Sequence, residues 1–270
     1  MPELPEVETI ARDLRLPLVG RRIVAVDVRW PRTVATPASD ELAARLVGRQ
    51  IVGAGRRGKY LLFPLDDGAT LLVHLRMTGQ LHVVNGDHVP DRHTHLVLEL
   101  DNGQRLIFHD TRKFGRVYLV TQVADVLDRL GPEPLDPNFT PQELNRRLTR
   151  RKAPVKSLLL DQRVVAGVGN IYADEVLFAA GIDPRRPGVS LQPQEVTRIH
   201  TVLRQTLAQA IFDHGSSLAN YQRPGGVRGQ NQERHRVFRR TGQPCPTCGA
   251  PIVRIVLGQR ATHFCPQCQH

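Results

Sequence analysis

The chain has 270 residues, 40% hydrophobic and 23% charged, which excludes a disordered polymer, and no apolar run approaches the roughly 18 residues of a membrane-spanning helix. Thirty-seven Lys and Arg against 26 Asp and Glu leave a formal charge of +11, so the expected partner is an acidic polymer: nucleic acid first, with a ribosome, heparin or an anionic membrane surface as the other readings. This length suits two domains better than one.

The opening MPELPEVE carries three glutamates and no apolar stretch, unlike a secretory signal or an Arg-rich transit peptide, so a cytoplasmic location is expected. From Pro5, the residues Val7, Ile10, Ala11 and Leu14 recur at helical spacing. Glu6 and Glu8 fall in the first turn, where the helix dipole favours acids, and Pro17 is the predicted stop. Short apolar stretches follow: Val24, Val26, Val28 and Trp30 in alternation, then residues 60–65, 70–75, 95–100, 105–108 and 116–120, punctuated by Asp67-Gly68 and Asn102-Gly103. Closely spaced strands with such turn dipeptides predict an antiparallel sandwich or barrel.

The pattern changes near residue 130. Residues 131–139, GPEPLDPNF, hold three prolines and a glycine and read as a linker. Thr140-Pro141-Gln142-Glu143 then offers an N-cap, a first-position proline and a capping-box glutamate. Helices are expected beyond it: one capped by Asn170 and ended by Gly181, and a longer amphipathic one carrying Val196, Ile199, Leu203, Ala210 and Ile211 and ended by Gly215. Residues 221–236, rich in Arg, Gln and Gly, read as a loop. Over residues 221–270 eight Arg and no Lys stand against one acid, Glu233, so this end is the expected polyanion-facing piece. The fold class is therefore α+β and multidomain, strands first and helices after.

Cys245-Pro-Thr-Cys248 and Cys265-Pro-Gln-Cys268, sixteen residues apart, have the spacing of a four-cysteine zinc ribbon. Four thiolates with no open position would make one Zn2+ structural; a redox pair or two disulfides are the other readings. Between the knuckles, Arg260 is either a solvated hairpin charge or a guanidinium aimed at a phosphate. At the other end, a proline after the initiator methionine permits its removal, which would expose Pro2 as a secondary amine. An α-amine with a pKa of about 8 is a better nucleophile at neutral pH than a lysine near about 10.4, and with a carbonyl carbon it forms a cationic iminium. Glu3 and Glu6 would then serve as acid and base. The plainer alternative is a helix-starting proline followed by dipole-complementing acids. His74, His93 and His95 show no metal-ligand pattern, and Met77 and Phe114 on their own read as core.

Taken together, PELPEVE, RRGKY, HLRMTG, DTRKFG, GPEPL, VAGVGNIYADE and GQRATHFCPQCQ, in this order along the chain, resemble the bacterial formamidopyrimidine-DNA glycosylase family, also called MutM. The resemblance implies a bifunctional glycosylase and abasic-site lyase acting on double-stranded DNA with oxidised purines or abasic sites. It implies an N-terminal antiparallel β-sandwich catalytic domain over residues 1–130, a linker over 131–139 and a helical domain over 140–236. That helical domain would contain a helix-two-turn-helix motif around 167–174 and a lid loop at about 221–236, and a zinc finger would follow over 237–270. Pro2, Glu3, Glu6, Lys59 and Arg260 match catalytic positions, and His74, His93, Arg112, Lys113 and Asn170 match DNA contacts. Met77, Arg112 and Phe114 match a wedge that fills the gap left by the flipped base, which replaces the core reading of Met77 and Phe114 and requires both to be exposed in the free protein. The family expectation is a cytoplasmic, nucleoid-associated monomer with no membrane partner. PELPE, where endonuclease VIII enzymes typically read PEGPE, favours the oxidised-purine branch over an endonuclease VIII-like one, and the presence of Pro2 and Glu3 speaks against a catalytically silent lesion binder. One stretch departs from the family: where an aromatic is common before the zinc finger, this chain has Gly229-Gln230-Asn231-Gln232, with Arg223, Arg228, Arg234 and Arg236 around it as candidate backbone attractors.

Overall fold

The N-terminal helix α1 (Leu4–Leu18) forms as its periodicity predicts: Val7, Ile10, Ala11, Leu14 and Leu18 lie on one buried face, and Pro5 sits in the first turn, where its missing N–H costs nothing. The helix runs past Pro17, because the Val19 amide still donates to the Arg15 carbonyl at 3.0 Å and closes the last turn. This is a computed structural model, and it describes residues 1–217, 223 and 226–270. The chain divides into two units, Met1–Asp128 with His214–Gln230 and Arg129–Asp213 with Asn231–His270.

In the first unit α1 is followed by β1 (Ile23–Val28), β2 (Val34–Thr36), α2 (Ser39–Leu46), β3 (Gly55–Arg57), β4 (Tyr60–Pro64) and β5 (Thr70–His74). Then come β6 (Gly79–Asn85), β7 (Thr94–Leu100), β8 (Gln104–Asp110), β9 (Arg116–Val120) and the single-turn α3 (Ala124–Leu127). Two sheets result, ordered β1-β7-β8-β6 and β2-β9-β5-β4-β3. All pairings are antiparallel except β2 with β9, a short parallel pair at one edge. Leu98 and Phe108 of one sheet, Phe63 and Val73 of the other, and Leu14 and Leu42 of α1 and α2 belong to one apolar cluster, so the predicted sandwich is observed. Strand β6 and helix α2 were not legible in the sequence: in β6 only Gly79 and Leu81 are buried, and in α2 only Leu42 and Leu46.

The second unit holds α4 (Pro141–Leu148), α5 (Val155–Leu160), α6 (Asn170–Ala180), α7 (Pro193–Phe212) and the hairpin β10 (Val253–Leu257) and β11 (Arg260–Phe264). The Thr140 hydroxyl accepts from the Glu143 amide at 3.2 Å, the predicted N-cap of α4. Helix α6 starts one residue earlier in role than expected: Gly169 is the cap and Asn170 the first helical residue, while Gly181 ends the helix in the left-handed region at φ 69°. Helix α6 is buried on nearly every face and forms the centre of this unit. Gly258 and Gln259, at φ 55° and 61°, make the two-residue turn that matches the right-handed twist of β10 and β11. Of the predicted lid loop, residues 221, 222, 224 and 225 lie outside the described residues, and Asn231–Arg234 form a single 3-10 turn. No described helix is long and apolar enough to cross a membrane.

Candidate functional site

Pro2 is buried at the start of α1, and the two candidate acids beside it are 3% and 1% exposed. Glu3 is the N-cap, and its carboxylate accepts from the Glu6 amide while Glu6 Oε2 accepts from the Glu3 amide at 2.8 Å. This reciprocal pair fixes the backbone that follows Pro2. Glu6 Oε1 accepts a second amide, that of Ser216, at 2.7 Å. Both carboxylate oxygens therefore receive backbone N–H groups, which replaces the water lost on burial. Gly215 permits this approach: at φ +76° it is left-handed, and a Cβ there would stand 2.9 Å from Glu6 Cγ and Oε1. The segment is braced in turn by the Gly229 amide on Ser217 Oγ and by Arg228 Nη2 on the Ser217 carbonyl, both at 2.9 Å. Sequence reasoning found Glu6 but missed Ser216 and the tight approach at Gly215; the only local signal was a glycine after a helix.

Lys59 lies in the turn between β3 and β4, and His74 at the end of β5 faces Tyr60 in register, with the rings in edge contact at 4.5 Å. Both side chains are buried, at 5% and 7% exposure. Burial, reinforced by the cationic Arg76 and Lys59, pushes the His74 pKa down to about 3. His74 is thus neutral near pH 7. Its Nδ1 accepts the Arg76 amide at 3.0 Å, so the ring proton is on Nε2 and can be given to an anion as a neutral donor.

Met77 stands on the β5–β6 turn and Arg112 and Phe114 on the β8–β9 turn, yet they meet. Arg112 Nη1 reaches Met77 Sδ at 3.4 Å, and its guanidinium lies 4.6 Å from the Phe114 ring centre. Met77 and Phe114 are 41% and 45% exposed, as a wedge requires and a core residue does not. Lys113, left-handed at φ 59°, holds its ammonium 3.9 Å above the Trp30 ring. The side chain of His93 accepts from Arg92 Nε at 3.1 Å, and its ring lies 5.7 Å from that of His109. The β8–β9 turn is held by Asp110, a buried residue that sequence reasoning passed over.

The remaining candidates belong to the second unit. Arg260 is exposed beside the hairpin turn, and Asn170 Nδ2 donates to the neighbouring Ala261 carbonyl at 2.9 Å, so the structure brings these two together. The same stretch of β11 is gripped from below. Lys156 Nζ donates to the Ala261 carbonyl and to Thr262 Oγ1, both at 2.8 Å, and pairs with Asp174 at 2.8 Å, whose other oxygen accepts the His263 amide at 3.0 Å. Lys156 and Asp174 were also missed, since nothing in their spacing links them to residues 89 to 106 positions away. The four Sγ atoms of Cys245, Cys248, Cys265 and Cys268 lie within 4.8 Å of one another, with separations of 3.8 Å and 3.5 Å for two pairs, and none is in a disulfide. Zn–S bonds of about 2.3 Å in a tetrahedron require sulfurs about 3.8 Å apart, so the set fits one structural zinc. Of the lid arginines, Arg223 pairs with Asp13 and Arg234 with Asp213, at 2.8 and 2.6 Å.

Comparison with known proteins finds three family models in succession: the formamidopyrimidine-DNA glycosylase N-terminal domain over residues 1–117, the formamidopyrimidine-DNA glycosylase H2TH domain over 130–221, and the zinc finger found in FPG and IleRS over 242–270. The chain is 51% identical over 272 residues to a formamidopyrimidine-DNA glycosylase of Chloroflexus aurantiacus, covering 100% of this chain and 98% of that one. It is similar in structure to a Lactococcus lactis Fpg variant in complex with Fapy-dG-containing DNA, with a TM-score of 0.94, 37% identity and 100% of both chains covered. It is likewise similar to Lactococcus lactis Fpg with abasic-site DNA, with a TM-score of 0.93, 37% identity and 99% of both chains covered.

Proposed function

This chain belongs to the formamidopyrimidine-DNA glycosylase family, and on that premise we propose how its residues remove oxidised purines from duplex DNA. The protein is a DNA glycosylase of base excision repair with the abasic-site lyase activity typical of the family. Met1 is exposed, and its removal frees the Pro2 amine. That amine attacks C1′ of an extruded nucleotide; the glycosidic bond breaks, its electron pair leaves on the base, and the base takes up a proton. Glu3 protonates the ring oxygen as the sugar opens, and the C1′–nitrogen bond becomes an iminium. This cation makes the C2′ proton acidic, so its loss expels the 3′ phosphate, and a second elimination expels the 5′ phosphate.

The observation that carries this reading is the N-terminal proline set beside two buried carboxylates in a reciprocal box. Glu6, with an amide on each oxygen, acts by positioning Pro2 and Glu3. Lys59, neutral His74, Asn170 and Arg260 hold phosphates around the lesion, with Lys113 and His93 as further backbone contacts. Met77 and Phe114 fill the stack vacated by the flipped nucleotide while Arg112 pairs with the orphaned cytosine. The zinc keeps the Arg260 hairpin in shape and takes no part in the chemistry. The catalytic piece is residues 1–130, with which His214–Gln230 is grouped in space, followed by the linker 131–139, the rest of the helical piece 140–236 and the finger 237–270. The enzyme works as a cytoplasmic monomer at the nucleoid.

Borohydride reduction of the protein mixed with a duplex carrying 8-oxoguanine opposite cytosine tests this. A covalent adduct that maps to Pro2 is the expected result, with Pro2→Gly losing lyase rate by orders of magnitude while still binding abasic DNA. An adduct formed only with an oxidised pyrimidine would move the chain to the endonuclease VIII branch. No adduct with either, from protein whose intact mass shows Met1 removed, would make it a silent lesion binder.

A further inference from the structure

The turns that carry Met77, Arg112 and Phe114 are joined at one buried carboxylate. Asp110, the last residue of β8, is 0% exposed. Its Oδ1 accepts the hydroxyl of Thr78, next to Met77, and the Arg112 amide at 3.2 Å; its Oδ2 accepts the amide of Gly115, next to Phe114, at 2.7 Å. Each donor is thus a wedge residue or its immediate neighbour. The main chain of Asp110 is held as firmly: its N–H donates to the His93 carbonyl at 2.8 Å, and its carbonyl accepts from His95 Nε2 at 2.7 Å and from the Lys113 amide at 3.3 Å. Sterics add to this. A Cβ at Gly115 would lie 2.3 Å from Phe108 Cζ and one at Gly79 2.9 Å from Phe108 Cε2, so both turns are seated against the same ring.

We infer that Asp110 is the positioning residue of the wedge, tying the Met77 turn to the Arg112–Phe114 turn so that the three side chains enter a duplex as one preformed body. A carboxylate buried on these donors is expensive to disturb, because releasing any of them leaves a charge or an amide without its partner. Two independently mobile turns would have to be ordered during extrusion. With Asp110 in place that ordering is completed on folding and does not slow the encounter. The inference rests on the glycosylase reading in one respect, that these side chains serve to extrude a nucleotide.

Two substitutions separate the bonds. Asp110→Asn keeps an oxygen for Thr78 and Arg112 but turns an NH2 towards the Gly115 amide, whereas Thr78→Val cuts only the link between the turns. Single-turnover base release is measured on 8-oxoguanine opposite cytosine in a fully paired duplex, on the same lesion inside an unpaired bubble, and abasic-site cleavage is measured on a single strand. The expected result is a loss of about 100-fold for Asp110→Asn and about tenfold for Thr78→Val on the paired duplex, with rates near wild type on the bubble and the single strand, where nothing has to be wedged apart. In a Met77→Ala background, Thr78→Val should add little. Equal losses on paired and unpaired lesions would overturn the inference by making Asp110 a general structural residue, as would an unchanged paired rate. Should Asp110→Asn fail to fold, Thr78→Val carries the test alone. A wild-type chain inert on all three substrates would instead overturn the glycosylase reading, and the inference with it.

Discussion

The two ends of the chain solve the same problem, holding a functional side chain still, by different means. In the N-terminal unit a broad apolar cluster reaching from Val7 to Leu119 supports buried carboxylates, and these are satisfied by backbone amides: Glu6 by Glu3 and Ser216, Asp110 by Arg112 and Gly115. Around the cysteines the buried apolar cluster shrinks to Phe178, Val237, Cys245, Ile252 and Cys265, of which two are metal ligands. Where hydrophobic burial is ample, geometry is set by hydrogen bonds within a rigid core; where it is scarce, a metal supplies the missing cross-link. The contrast predicts which perturbation each region tolerates.

The largest effect should follow zinc removal. Structural sites of this kind contribute about 10–16 kcal/mol of apparent binding free energy in isolated fingers, far more than the small cluster around β10 and β11 offers. Chelation should therefore abolish hydrogen-exchange protection across residues 253–264 and remove duplex binding through Arg260, while the sandwich keeps its own unfolding transition. A hairpin still protected after verified metal loss would break the contrast at its root.

A smaller effect, confined to the sandwich, is expected of Gly215→Ala. The substitution forces a Cβ into the left-handed region, at about 1–2 kcal/mol, and towards Glu6 at 2.9 Å. Thermal unfolding should drop by about 2–4 °C per kcal/mol, and base release should fall as well because Glu6 no longer braces the Pro2–Glu3 backbone. Loss of stability with full activity would show that the Ser216 contact serves folding alone.

Smallest at neutral pH, and growing only on acidification, is a pH dependence. His74 has a pKa pushed down to about 3 by burial in the folded state, against 6.5 for an unperturbed histidine. Between these values the unfolded chain binds a proton that the folded one refuses, so stability falls as the pH drops below 6.5 and this contribution to the slope ends near 3. Denaturant midpoints measured over that range should flatten in His74→Gln. An unchanged slope would mean that other groups carry the acid sensitivity.

Much of this molecule was legible beforehand because its signals are local. Two C-x-x-C knuckles state their metal, Asp67-Gly68 and Asn102-Gly103 state their turns, and Thr140-Pro141 states the start of a helix. Glu3 caps α1, Glu6 is the third residue of that helix and Pro2 directly precedes the cap, so their proximity is a property of local helix-start geometry. The order of the motifs along the chain is itself enough to mark the family. Tertiary structure alone decided which backbone groups meet: that Ser216 reaches Glu6 across two hundred residues, that Lys156 grips β11, and that Asp110 ties Thr78 to Gly115. Buried carboxylates and lysines look in sequence like any surface charge. Their roles depend on donors and acceptors supplied by distant segments, and only the folded chain brings those within hydrogen-bonding distance.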